Sequence, residues 1–207
     1  MKVLLINGSP RKNGCTFTAL SEVAGEIEKA GIETEIFHIG AKAIWGCTDC
    51  GGCEQTDRCV HRDDGVNAIL DRQGEIDGLI VGAPVHYASA AGAITAFMDR
   101  LFYAGGAGFA HKPGAAVATC RRAGSTATLD QLNKYFTISQ MPLVSSQYWN
   151  MVHGNTPDEV RQDLEGMQIM RTLGRNMAWL LRCIEAGKTA GIPYPEGEPR
   201  AWTNFIR

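Results

Sequence analysis

Four of the seven cysteines in this 207-residue chain follow the pattern CxxCxxCxxxxxC, as Cys47, Cys50, Cys53 and Cys59. Three thiolates spaced by two residues can wrap one face of a compact inorganic cluster, and Gly51 and Gly52 allow the tight turn. The fourth thiol can reach the remaining iron. Structural zinc more often uses two CxxC pairs across a longer loop, and no second pair exists here. The spacing favours an iron-sulfur cluster, with zinc or free thiols as the alternatives.

A second group of polar residues follows the first apolar run, in VLLINGSPRKNGCT from Val3 to Thr16. Gly8 and Gly14 let an anion approach the backbone closely. A helix starting near Cys15 would direct its free N–H groups and the positive end of its dipole into the same place. The side chains that add donors or positive charge are Ser9, Arg11, Lys12, Asn13 and Thr16. The stretch therefore predicts a phosphate-binding loop.

The spacing of this loop fits neither of two better-known phosphate motifs. It contains no GxxxxGK[ST] and no GxGxxG, so neither a P-loop NTPase nor a dinucleotide-binding Rossmann domain is indicated. A loop rich in hydroxyl groups can instead hold one terminal phosphate monoester, which favours a mononucleotide such as FMN. The alternative is an ordinary strand-to-helix turn capped by Asn13 or Thr16.

Two further loops carry candidate ligand-binding residues. In the segment from Pro84 to Ser89, His86 and Tyr87 are flat side chains that can border a tricyclic ring. In the segment from Thr119 to Ser125, two arginines can place positive charge beside the pyrimidine side of a flavin. The alternatives are an exposed or interface tyrosine and a solvated arginine face. The candidate contacts of this last loop are Thr119, Arg121, Arg122 and Gly124.

Strands and helices alternate along the chain, which predicts an α/β fold with a doubly wound parallel sheet. Such a sheet binds ligands outside the carboxyl ends of its strands, where all three loops would lie. The predicted strands are Val3–Ile6, Glu33–Ile39, Ile76–Ala83, Ala115–Thr119 and Met141–Tyr148. The predicted helices are Cys15–Ala30, Val66–Arg72, Ala90–Tyr103, Thr128–Phe136 and Pro157–Ala186.

Several single residues carry smaller predictions. Pro84 is expected to end the third strand, since proline cannot donate to a ladder. Asp63 and Asp64 are expected to cap the short helix rather than bind metal. Arg100 is placed on the polar face of its helix. His38 is expected to be structural.

The chain also resembles a known family. NGSPRKNGCT, GAPVHYASAAGAITAFMDR and TCRRAGSTATLDQL are similar to segments of the NADPH-dependent FMN reductase family of flavodoxin-like proteins. The resemblance implies a five-stranded sheet in the order 2-1-3-4-5 with helices on both faces. It implies FMN phosphate contacts at Ser9, Arg11, Asn13 and Thr16, with Cys15 contributing its backbone. It implies ring contacts at Pro84, Val85, His86, Tyr87 and Ser89, and a third loop that closes over the ring.

The cysteine spacing matches the iron-sulfur flavoproteins, a branch of this family with a [4Fe-4S] cluster beside FMN. The resemblance implies the same four ligands and a homodimer or homotetramer. We expect residues 1–186 to form the FMN-binding domain, with a cysteine-rich insert at 46–60, and residues 187–207 to form a C-terminal extension. A long helix and several aromatics near the end would suit a partner subunit: Tyr148, Trp149, Trp179 and Trp202.

Composition narrows the class of protein further. A net charge of −2 and a pI near 6.2 give no general attraction to nucleic acid or anionic membranes. No apolar run reaches the length of a membrane span. An odd number of cysteines argues against a disulfide framework and for a reducing compartment. We expect a soluble, cytoplasmic protein.

These features predict an FMN-dependent oxidoreductase. It would take electrons from NAD(P)H, or singly through the cluster, and pass them to a small acceptor such as a quinone, free flavin or oxygen. One alternative is a non-enzymatic electron carrier that exchanges with ferredoxin-like partners. Another is a regulatory module whose cysteines sense metal or redox state.

Overall fold

The computed structural model describes residues 1–199 and 201–204, and its centre is a parallel five-stranded sheet. The strands are β1 (Lys2–Asn7), β2 (Glu33–His38), β3 (Gly78–His86), β4 (Ser89–Ala90), β5 (Gly114–Cys120) and β6 (Met151–His153). The order across the parallel sheet is β2-β1-β3-β5-β6, and the short β4 pairs antiparallel with β3. The strand order reverses between β1 and β3, which places a ligand-binding crevice at their carboxyl ends.

Six α-helices cover the sheet within the described part of the chain. They are α1 (Cys15–Lys29), α2 (Val66–Leu70), α3 (Gly92–Gly105), α4 (Ser125–Ile138), α5 (Pro157–Gln162) and α6 (Leu164–Thr189). Short 3₁₀ turns lie at Gln73–Glu75 and Gly106–Phe109. Among the described residues, no helix is both long enough and apolar enough to pass through a membrane.

The two faces of the sheet bury separate apolar cores. Successive residues of β1 point to opposite faces, so Leu4 and Ile6 join the core under α3 and α4. Val3 and Leu5 join the core under α1 and α6. Both faces are covered, which explains why the strands read as continuous apolar runs. The predicted doubly wound fold and its strand order are confirmed.

The predicted fifth strand, Met141–Tyr148, is wrong in its position. Only Leu143 pairs with β5, through an isolated bridge to Gly114, and regular pairing resumes at Met151. Pro142 has no N–H to donate, and the Ser146 hydroxyl bonds the Tyr148 carbonyl at 2.7 Å instead of leaving the chain extended. The fifth position in the sheet is therefore filled by β6.

The expectation that Pro84 ends the third strand is also wrong. Pro84 lies opposite Thr119 of β5, and β3 continues to His86. The Pro84 carbonyl accepts a bond from the Ala91 N–H at 3.1 Å. Val85 and His86 then pair with β4, so the predicted loop is a tight β-hairpin.

The long C-terminal helix is interrupted near its start. Asp163 ends α5 and caps α6, where its carboxylate accepts from the Gly166 N–H at 2.9 Å and the His153 N–H at 2.7 Å. Helix α6 ends at Thr189, three residues beyond the predicted end. Residues 200 and 205–207 of the predicted extension lie outside the described residues.

Candidate flavin and cysteine sites

The loop after β1 is held in shape by the buried side chain of Asn7. Its amide donates to the Lys12 carbonyl at 3.0 Å and its oxygen accepts from the Ser9 N–H at 3.1 Å. The Ser9 hydroxyl in turn accepts from the Arg11 N–H at 3.2 Å. Sequence analysis missed Asn7, whose only signal was its place at the end of a buried strand. The loop is thus fixed by its own bonds before any ligand binds.

The N-terminus of α1 has no side-chain cap. Gly14 occupies the cap position without a side-chain hydrogen bond, so the alternative of a turn capped by Asn13 or Thr16 is wrong. The first intrahelical bond runs from the Thr18 N–H to the Gly14 carbonyl at 3.0 Å. The N–H groups of the three residues before Thr18, beginning with Cys15, have no intrahelical acceptor and face the loop. The helix therefore presents free donors and its positive end where a phosphate was predicted.

Threonine hydroxyls connect the first loop to the third. The Thr16 side chain is 1% exposed, and its hydroxyl lies 2.8 Å from that of Thr119 at the end of β5. Both hydroxyls are engaged inside the protein, which leaves the backbone of Thr16 as the part available to an anion. The side chain of Cys15 is likewise occupied inside the protein, because its Sγ lies 3.7 Å from the Gly154 carbonyl. Burial raises the pKa of its thiol.

The second loop turns at Tyr87 and Ala88, which both have positive φ, 52° and 73°. Positive φ at both central residues is the pattern of a type I′ hairpin turn and is uncommon for residues other than glycine. The Tyr87 side chain is fully exposed. The hairpin is tied down by the Ser89 hydroxyl, which donates to Gln131 Oε1 of α4 at 2.7 Å.

The third loop lies directly against this hairpin. Gly124 has a φ of +85°, and a Cβ built there would lie 2.7 Å from the Ala88 Cα and 2.7 Å from Val85 Cγ1. Arg121 and Arg122 are exposed on the same loop. All three predicted loops therefore meet at one edge of the sheet, joined by the threonine pair and by this close contact.

His38 links the first loop to β2, as a structural histidine would. Its Nε2 lies 2.8 Å from the Ser9 carbonyl, and the Ile39 N–H donates to the Asn7 carbonyl at 3.2 Å. The cysteine-rich insert follows directly, so it leaves the sheet at the edge where the three loops meet. The insert then packs beside α3.

The four cysteines of the insert line one small pocket, together with His61, Arg100 and Tyr103. Burial raises the pKa of the Cys53 thiol, and negative charge on the thiols of Cys47, Cys50 and Cys59 raises it further. Cys53 is thus close to the other three. Among the described residues, no three His, Cys, Asp or Glu side chains converge as they would around a single metal ion.

Arg100 is the residue that the sequence analysis placed wrongly. It was assigned to the polar face of α3, but its side chain is fully buried and points into the insert. It pairs with Asp64, which was expected to cap α2. The cap position is occupied by Gly65, but Asp64 Oδ1 accepts from the Val66 N–H in the first turn of α2 at 3.4 Å, so the expectation for Asp64 is confirmed in part. A guanidinium can be buried when an acid and several hydrogen-bond acceptors surround it. These partners lie outside α3, so the spacing of residues along the helix does not reveal them.

Comparison with known proteins identifies the family. Residues 1–156 match the model of the NADPH-dependent FMN reductase family. The chain belongs to this family. Its membership supports the prediction of an FMN-dependent oxidoreductase, and it agrees with the phosphate loop at the start of α1.

Relatives of this FMN reductase family member include an iron-sulfur flavoprotein of Methanocaldococcus jannaschii. The two are 32% identical over 193 residues, which cover 89% of this chain and all of the relative. An iron-sulfur flavoprotein of Methanosarcina thermophila is 27% identical over 192 residues, which cover 91% of this chain and 99% of that protein. The predicted resemblance to iron-sulfur flavoproteins is confirmed.

A solved structure supports the same fold for this family member. A flavodoxin from the Archaea superposes with a TM-score of 0.60 at 14% identity, and the match covers 88% of this chain and 99% of that chain. At this level of identity the likeness concerns the fold alone. The predicted flavodoxin-like architecture is confirmed.

Proposed function

We propose that this protein is an FMN-dependent NAD(P)H oxidoreductase that also holds a [4Fe-4S] cluster in its cysteine-rich insert. The observation that carries the flavin assignment is the uncapped N-terminus of α1, facing a loop already fixed by Asn7. Free N–H groups, a helix dipole and nearby positive charge suit a terminal phosphate.

The residues proposed to hold FMN are those that the family resemblance implies. The phosphate would lie against the first loop, through the backbone at Cys15 and Thr16 and the side chains of Ser9, Arg11 and Asn13. The ring would border the hairpin of Pro84, Val85, His86, Tyr87 and Ser89, and the third loop would close over it with Thr119, Arg121, Arg122 and Gly124. When bound, the flavin supplies hydride and single-electron transfer.

The protein contributes position, charge and access. Arg121 and Arg122 would put positive charge beside the ring, which stabilises the added negative charge of the reduced form. Both arginines and Tyr87 are exposed, so this edge leaves a path for a nicotinamide to stack and for a small acceptor to follow. We propose a quinone, free flavin or oxygen as that acceptor.

The cavity in the insert supports the cluster assignment. Each thiolate of a four-iron cluster binds a different iron, so the thiols stand apart around a cavity instead of converging on one point. Cys47, Cys50, Cys53 and Cys59 all line one pocket, as the four ligands of such a cluster would. His61 lies in the same wall, and its buried Nε2 has no hydrogen-bond partner among the described residues.

The test is anaerobic purification with added FMN and iron, followed by absorbance, iron analysis and stopped-flow reduction. We expect about one FMN and four iron atoms per chain, and rapid bleaching of the flavin by NADPH or NADH. Cys15→Ser is a useful control, because it should keep FMN through the backbone and leave the iron content unchanged. Protein that stays colourless under these conditions would contradict the flavin site.

A non-enzymatic electron carrier is the second candidate, favoured by the cysteine cavity itself. A carrier would exchange electrons singly with a ferredoxin-like partner through the cluster. If NAD(P)H leaves the flavin oxidised while reduced ferredoxin bleaches it quickly, the carrier assignment replaces the enzyme. Fast bleaching by NAD(P)H supports the enzyme.

We also propose that the protein forms a homodimer or homotetramer. Several large apolar side chains are more than half exposed on the described surface: Tyr148, Trp149, Leu164 and Trp179. Such aromatics are typical anchors of protein interfaces. Light scattering at micromolar concentration tests this, and a monomer mass would contradict it.

A further inference from the structure

Arg100 makes an unusual set of contacts for a residue in the middle of a helix. Its side chain is fully buried, and a buried guanidinium needs partners for its five N–H donors. One partner is the carboxylate of Asp64, which both terminal nitrogens contact. The others lie in the insert or directly beside its ends, so these contacts join α3 to the cysteine-bearing segment.

The guanidinium holds both ends of the insert. One terminal nitrogen donates to the Trp45 carbonyl at 3.3 Å, just before the first cysteine. The other donates to the His61 carbonyl at 3.0 Å, just after the last. The rings of Trp45 and His61 stack, with centroids 5.8 Å apart and an angle of 5° between planes. Arg100 therefore lies where the two ends of the insert meet.

The remaining donor is directed at a cysteine. Arg100 Nε donates to Cys59 Sγ at 3.0 Å. The backbone of Cys59 is fixed separately, since its N–H donates to Asn67 Oδ1 at 2.8 Å and its carbonyl accepts from Asn67 Nδ2 at 2.9 Å. Cys47 and Cys50, by contrast, are exposed. Unlike Cys47 and Cys50, Cys59 thus has both its backbone and its sulfur held by the fold.

We propose that Arg100 is a positioning residue that holds the Cys59 sulfur in place as a preformed ligand and keeps its N–H···S bond to that sulfur in the loaded protein. This rests on the proposed cluster site. A hydrogen bond to a ligand sulfur stabilises the more negative, reduced cluster, so Arg100 should raise the reduction potential. The charge of Arg100 is already matched by Asp64, so the directed N–H is its particular contribution.

The first test uses apo protein and hydrogen-deuterium exchange read by mass spectrometry. In the wild type, the peptide around residues 57–64 should exchange at least tenfold more slowly than the peptide around 46–51. Arg100→Gln should remove most of that difference, and Arg100→Lys should remove part of it. Arg72→Gln is the matched control, because Arg72 also binds a carboxylate by two bonds, at 2.6 and 2.5 Å to Glu35.

The second test uses anaerobically reconstituted protein and a dye-mediated titration with dithionite as reductant. Arg100→Gln and Arg100→Lys should lower the equilibrium constant for one-electron reduction of the cluster about tenfold, which is roughly 59 mV. The Arg72→Gln control should match the wild type. A purely structural role would lower the iron content without moving the potential of the clusters that remain.

The possible results separate this proposal from the cluster assignment. Unchanged exchange and unchanged potential in both Arg100 variants would overturn the role of Arg100. A wild type that takes up no iron would overturn the cluster, while the exchange data still decide whether Arg100 holds Cys59. If Arg100→Gln does not fold, as judged by circular dichroism, the lysine variant carries both measurements.

Discussion

Replacing Gly124 by alanine should damage the junction between the third loop and the hairpin. The new Cβ would lie 2.7 Å from the Ala88 Cα, a backbone atom that cannot move aside cheaply. The residue would also keep a φ of +85°, which costs an alanine roughly 1–2 kcal/mol. Overpacking adds about 1–3 kcal/mol, so we expect a total loss of about 2–5 kcal/mol of unfolding free energy.

Gly31→Ala separates the two contributions. Gly31 has a similar φ of +76°, but nothing lies within 4 Å of its would-be Cβ. This variant should lose only the backbone cost, roughly 1–2 kcal/mol. Urea unfolding monitored by circular dichroism measures both variants, and the midpoint should fall further for Gly124→Ala at an unchanged slope.

The same pair of variants tests the link to the ligand. Gly124→Ala should weaken FMN binding at least tenfold in a fluorescence titration, because the hairpin and the third loop can no longer close together. Gly31→Ala should bind FMN like the wild type. Equal urea midpoints for the two variants would refute the close contact, and equal FMN affinities would show that the junction does not shape the flavin site.

Three further outcomes are expected. Asn7→Ala should loosen the first loop and reduce FMN affinity about tenfold, from the loss of bonds worth about 1–2 kcal/mol, in the same titration. Hydrogen bonding to Arg72 holds the pKa of Glu35 below its usual range, so Glu35→Gln should cost up to about 1 kcal/mol at pH 7. That cost should vanish in urea melts as the pH falls through the lowered pKa, where wild-type Glu35 also becomes neutral. Replacing Arg121 and Arg122 together by glutamine should lower the flavin midpoint potential in a redox titration.

The sheet and the meeting of the three loops were readable from the sequence. The inner strands appear in the sequence as continuous apolar runs, because both faces of the sheet are covered by helices. The first loop could be singled out because its glycines and hydroxyls are local to one turn. Local spacing also identified the four cysteines that line one cavity.

What failed depended on hydrogen-bond partners that the residue pattern does not show, whether distant or local. Arg100 has a polar side chain on an amphipathic helix, and only the folded insert, 36 residues away at Asp64, supplies its counter-charge. Pro84 continues a strand because its carbonyl still accepts a bond although it has no N–H. The shift from the predicted strand after Met141 to β6 depends on a local bond of Ser146 that competes with the ladder.

The packing of α6 on α1 has a consequence for the order of biosynthesis. Arg171 and Arg175 of α6 bind Glu22 and Glu26 of α1 at 2.6 and 2.8 Å, each across 149 residues of chain. Gly174 allows this approach, since a Cβ there would lie 2.6 Å from the Val23 carbonyl. Helix α1 therefore leaves the ribosome long before the helix that covers its outer face. Such distant contacts form slowly, so a nascent chain should stay exposed to aggregation and unable to retain its prosthetic group until α6 has been synthesised.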